Sequence, residues 1–132
     1  MKDRYLFKAK RINNGEWVTG SLLTCEDGTC KIATSLLEVK TNGPILVCAY
    51  DVDRDTICQC IGLKDKNGKL IWENDIVKIN NSKVNTLITF RDFEIICTIP
   101  NEKYYKHRLE YDTEYEIVGN VFDNPELLES EE

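Results

Sequence analysis

The chain has 132 residues, 17 of them basic and 23 acidic, for a net charge of −6, with 42% hydrophobic and 30% charged residues. That length and balance suit one globular domain, or two small subdomains, and exclude a disordered or collagen-like chain. No apolar run approaches the ~20 residues that span a bilayer, and Met1 to Arg11 lacks the apolar segment of a secretory leader, so the expected setting is the cytoplasm, with no membrane partner.

Period-2 alternation dominates, and long helical periodicity is nearly absent. Tyr5, Phe7 and Ala9 alternate with Leu6, Lys8 and Lys10, which reads as a first strand. Asn13-Asn14-Gly15 is a tight turn, because Asn and Gly tolerate the positive φ that a hairpin requires. Glu16 to Leu23 pairs back as a second strand, Glu26-Asp27-Gly28-Thr29 turns again, and Cys30 to Leu37 is a third strand. Gly43-Pro44 breaks the chain before the apolar strand Ile45 to Tyr50, and Thr56 to Ile61 is a fifth.

Gly62 to Lys69 carries the clearest turn signal: Asp65 suits an Asx turn and Asn67-Gly68 supplies positive φ. Lys69 to Trp72 is a short strand, Glu73-Asn74-Asp75 a bend, and Ile76 to Ile79 the next strand. After Asn80-Asn81-Ser82, Val84 to Arg91 and Phe93 to Ile99 form a hairpin about Asp92. Pro100 to Tyr111 is polar and tyrosine-rich, and Tyr115 to Val121 is the last strand. Asn124 can cap a short helical turn through Glu129, with Pro125 at its first position. Short strands with turns every eight to twelve residues indicate an all-β sandwich or barrel.

The charge is uneven. The last ten residues hold five acids and no base, leaving 17 basic against 18 acidic residues, or −1, in the rest of the chain. The first eleven hold Lys2, Arg4, Lys8, Lys10 and Arg11 against Asp3 alone. This balance argues against non-specific duplex binding, which needs many phosphate contacts. The N-terminal bases read either as a local patch or as charges guarding a strand edge.

Six cysteines form an even set, but without an export signal they read as reduced structural thiols. Cys25 and Cys30 are spaced C-x4-C across a turn, and Cys58 and Cys60 are C-x-C, which a strand points to one face. Neither is the C-x2-C knuckle of common zinc sites, and His107 is the single histidine, so no metal ligand set is assigned. Cys48 and Cys97 lie in apolar strands.

Asp51, Asp53 and Asp55 start like a calcium loop, but Thr56 stands where Gly is needed and Gly62 where the bidentate Glu belongs. Glu110, Asp112, Glu114 and Glu116 alternate as one solvated strand face would, with Tyr111 and Tyr115 on the other. His107 has no thiol or hydroxyl nucleophile marked beside it, and no Gly-rich phosphate loop is present, so no catalytic or cofactor-binding residue is assigned. A binding surface is expected instead at Tyr104, Tyr105, Lys106 and Arg108, where cations flank stacking rings, together with Lys8, Lys10 and Arg11.

Three blocks resemble the YopX family of phage and prophage proteins. The first is Phe7 to Arg11 followed by Asn14-Gly15-Glu16-Trp17-Val18-Thr19-Gly20. The second, the most specific, is Gln59 to Lys69 with Trp72-Glu73-Asn74-Asp75-Ile76-Val77; the third is Tyr115 to Leu128. Two positions depart from the family pattern: Asn74 replaces the usual Gly of the bend, and Cys60 stands where an aromatic is common. The resemblance implies a small all-β, barrel-like fold with an SH3-like barrel in the C-terminal half and a short C-terminal helical turn. It carries no established activity or catalytic residue. Residues 1–132 are thus expected to form one YopX-like domain, with a subdivision into an N-terminal β part (1–62), a barrel (69–123) and an acidic tail (124–132). The expected function is a non-enzymatic module that binds a host or phage protein, with strand edges also open to homo-oligomer formation. The alternative is a module for single-stranded DNA or RNA, and a more remote one is a metal-dependent or hydrolytic enzyme.

Overall fold

A computed structural model describes residues 6–37, 46–91, 94–98, 107–108 and 113–128. These residues are mostly antiparallel strand, as the alternation requires. They fall into two compact units, Met1–Gln59 and Cys60–Glu132.

In the first unit β1 (Phe7–Lys10), β2 (Trp17–Thr24), β3 (Cys30–Leu37) and β4 (Leu46–Val52) pair in chain order. The start of β5 (Cys58–Lys64) lies on the other edge of β1, with Phe7 opposite Gln59. Strand alternation sends Phe7, Ala9, Val18, Leu22, Cys30, Ile32 and Val52 to one face, where they pack with Ile57 as a core. Ala9 and Ile32 are fully buried there, and each buried aliphatic side chain of isoleucine size contributes about 1.5–3 kcal/mol. Gly20 is required by crowding: a Cβ at this position would run into the Ala33 carbonyl, 2.8 Å from its carbon.

The β1–β2 turn closes through Arg11 N–H to Glu16 O and Gly15 N–H to Arg11 O, both 2.9 Å, with Gly15 at φ 73°. Beyond Lys10 the chain bends across to β4. Arg11 forms an antiparallel bridge with Val52, Ile12 N–H donates to Asp51 O at 3.1 Å, and Asp53 N–H donates to Lys10 O at 2.8 Å. The four strands therefore curl until the first meets the last at one end. Asp53 then accepts from Asp55 N–H and caps a 3₁₀ turn, Arg54–Thr56. This cap is why β5 begins at Cys58 and not at Thr56, the start expected from the sequence.

In the second unit, β5 runs on through Gly62, whose φ of 86° sits within the strand, not in the expected turn. The turn itself begins at Asp65 and leads to β6 (Leu70–Trp72). The Glu73-Asn74 bend follows, with Asn74 at φ 72°, the left-handed conformation that Asn tolerates in place of Gly. β7 (Asp75–Ile79), β8 (Thr86–Arg91), β9 (Glu94–Thr98), β10 (His107–Arg108) and β11 (Tyr115–Asn120) make a sheet in the order β10-β9-β8-β7-β11. Ile61, Ile71, Val77, Ile88 and Tyr115 form its core. The chain ends in a second 3₁₀ turn, Pro125–Leu128. Among the described residues β10 and β11 stay at opposite ends of this sheet, so it is open and does not close as the SH3-like barrel of the resemblance would. The curl that does close lies in the N-terminal unit. The two-residue β10 falls in a segment that reads as loop, because its pairing to Ile96 and Cys97 leaves no periodic trace in so short a run.

Candidate functional site: the mouth of the N-terminal unit

Three turns meet at the closed end of the curl: β1–β2 through Gly15, β2–β3 through Asp27-Gly28-Thr29, and the β4 exit at Asp53-Arg54. Two adjoining depressions of about 550 and 490 Å³ open there and share Arg11, Ile12, Thr29 and Cys30. Volumes of 300–1,000 Å³ are those of small-molecule sites, and the mouth of a strand barrel is a common place for one.

Arg11 follows Ala9 by two positions and bridges Val52, so it shares the inward face. Its guanidinium lies 4.2 Å from the Tyr50 ring centroid, a cation–π contact of about 0.5–2 kcal/mol. Its Nε is buried and has no hydrogen-bond partner. The acids of the mouth already have partners. Asp27 accepts from the Thr29 hydroxyl at 2.6 Å and from Thr29 N–H at 3.0 Å, bonds that hold its carboxyl below the usual carboxylate range. Asp53 accepts from Asp55 N–H at 3.0 Å, and Asp51 pairs with Lys31 at 3.2 Å.

The opposite face of β1 and β2 carries a second cluster. Lys8 and Lys10 place their ammonium groups 4.7 and 5.4 Å from the Trp17 ring centroid. Thr19, Ser21 and Leu23 continue this face outward, all exposed.

Among the described N-terminal bases, Lys8 and Lys10 lie on the outer face and Arg11 in the mouth. Tyr104, Tyr105 and Lys106 lie outside the described residues, and Arg108 is placed only as a β10 residue opposite Ile96. Tyr50 and Arg54 were not singled out from sequence; their relation to Arg11 depends on the curl and has no local signature. Asp51, Asp53 and Asp55 are not grouped to hold a metal ion. Cys58 and Cys60 are both 1% exposed, and the Cys58 thiol donates to Thr56 O at 3.3 Å. Among the described residues, no group of three or more His, Cys, Asp or Glu side chains is placed to hold a metal ion, and no helix is long and apolar enough to cross a membrane.

Residues 6–129 match the family model described as YopX protein. Among solved structures, the chain is similar to the crystal structure of protein EF1440 from Enterococcus faecalis, at 25% identity and a TM-score of 0.66. The match covers 93% of this chain and 96% of that one. No curated protein matches.

Proposed function

The chain belongs to the YopX family, and from that premise we propose that it is a non-enzymatic protein-interaction module of phage or prophage origin, working in the bacterial cytoplasm. The observation that carries this reading is that, among the described residues, β4 is the edge strand of its sheet. An edge strand presents backbone donors and acceptors to any segment that can add beside it. Here the strand is Leu-Val-Cys-Ala-Tyr-Asp-Val, apolar through Tyr50. Asp51 C=O already points outward to Ile12 N–H. By the two-residue period, Ala49 and Val47 turn their backbone groups the same way, away from β3. The expected partner is a host or phage protein, or a second copy, contributing one extended segment.

Ala49→Pro removes one outward donor and leaves the β3 ladder intact. Affinity capture from host lysate compares it with the wild-type chain, after thermal unfolding confirms that both are folded. A protein retained by the wild type and lost by Ala49→Pro, and then binding as a purified component, supports the reading. Identical recovery by both chains overturns it.

A second reading rests on Lys8, Lys10 and Trp17. Cations against an aromatic ring are what single-stranded nucleic acid uses for stacking and phosphate contact. Titration with single-stranded DNA and RNA at two salt concentrations separates the readings. Micromolar binding that weakens steeply with salt and is lost in Trp17→Ala favours nucleic acid, and flat titrations remove it.

A further inference from the structure

We propose that the mouth of the N-terminal unit is a binding site for a small oxyanion, a carboxylate or a phosphate group, held by Arg11 with Arg54. Four observations converge. Arg11 faces inward at the closed end of the curl, beside a depression of about 550 Å³ that Arg54 also lines. Its Nε is buried without a hydrogen-bond partner, and a buried donor left unpaired costs about 1–3 kcal/mol. The Tyr50 ring fixes the guanidinium plane from one side. The carboxylates of Asp27 and Asp53 are taken by Thr29 and by the Asp55 N–H, and among the described residues neither arginine forms an ion pair.

Nε–H is one corner of the planar fork that a guanidinium offers to a carboxylate or phosphate, and that geometry separates arginine from lysine. Nε–H has no exposed surface as it stands, so a small turn of the Arg11 side chain brings it to the ligand, an acceptor that neither Asp27 nor Asp53, which line the same depression, supplies. Arg54 stands at the rim, near Gly28, where a Cβ would lie 3.9 Å from its Nη1. It adds a second cation at the entrance. The site shares Tyr50 with β4 but needs no segment added beside that strand, so the titration and the capture experiment fail or succeed separately.

The test is a titration of the isotope-labelled full chain, followed by amide and arginine Nε–H resonances. The probes are sodium benzoate, inorganic phosphate and, as an ionic-strength control, sodium chloride. The expected result is a saturable shift at Arg11 Nε, Gly28 and Thr29 with benzoate or with phosphate, and none with chloride. The probe that saturates at lower concentration identifies the oxyanion. Arg11→Lys keeps the charge but not the fork and weakens binding about tenfold or more. Arg54→Gln, on an exposed turn, weakens it several-fold and decides the matter if the Arg11 variant does not fold. Shifts that never saturate, that chloride reproduces, or that persist unchanged in Arg54→Gln and in a folded Arg11→Lys overturn the proposal.

Discussion

Asp65 ties the β5–β6 turn to β11, and its substitution gives a sharp test of how the second unit is held. The residue is 6% exposed. Oδ1 accepts from Asn67 N–H and Lys69 N–H, both at 2.9 Å, and Oδ2 accepts from Ile117 N–H at 3.2 Å. Beside it, Lys66 N–H donates to Tyr115 O at 2.8 Å. Asp65→Asn keeps an oxygen for the two turn donors but points an NH2 at the Ile117 N–H. One charged hydrogen bond is lost and a donor is left facing a donor, at about 2 kcal/mol. Asp65→Ala loses all three bonds; the two turn donors recover water, so the total is about 3 kcal/mol. With a urea slope of about 2 kcal/mol/M, the midpoints fall by about 1 and 1.5 M. An Asp65→Asn midpoint indistinguishable from wild type would refute the reasoning.

The same carboxylate makes the effect pH-dependent. Burial raises its pKa, but the N–H donors of Lys69, Ile117 and Asn67, with the Lys69 charge, lower it by more, to below 3.8. A folded pKa below the unfolded one gives stability that is present above the unfolded value and lost as pH falls through the folded one. The gap between wild type and Asp65→Asn is therefore constant near neutrality and narrows below about pH 4.

Two further outcomes follow from packing. Gly20→Ala forces β2 away from the Ala33 carbonyl and costs about 1–3 kcal/mol, read as a lower unfolding temperature; an unchanged transition would mean that the β2–β3 contact yields freely. Under native conditions a maleimide labels the half-buried Cys25 before Cys58 or Cys60, which react only as fast as the chain opens. Mass spectrometry of the labelled peptides reads the order, and early labelling of Cys58 would contradict its burial.

Local features were legible in the sequence because their cause is local. Asn13-Asn14-Gly15 and Asp65 to Gly68 turn where expected, since a side chain bonding its own backbone and a positive φ need no distant partner. The bounds of β3 and the shared face of Cys58 and Cys60, which the fold buries, follow from the two-residue period in the same way. What escaped depends on residues far apart in the chain. Asp65 reads as a turn former, while its bond to Ile117 lies 52 positions away. Arg11 reads as one more N-terminal base beside Lys8 and Lys10. Its position two residues after Ala9 points it inward, but only the bridge to Val52 sets it on Tyr50 and beside Arg54. The resemblance implies a barrel in the C-terminal half, whereas the curl that closes lies in the N-terminal one, because closure rests on two backbone hydrogen bonds without side-chain periodicity.

The bridge between Arg11 and Val52 also orders events in time. It joins segments about 40 residues apart, whereas the β1–β2 and β2–β3 hairpins close over short loops. Loop-closure entropy rises with the length enclosed, so distant contacts are made after local ones. During synthesis the hairpins can form on the emerging chain, but the mouth does not exist until Asp53 has left the ribosome and bonded back to Lys10. Until then Arg11 is an ordinary solvated base.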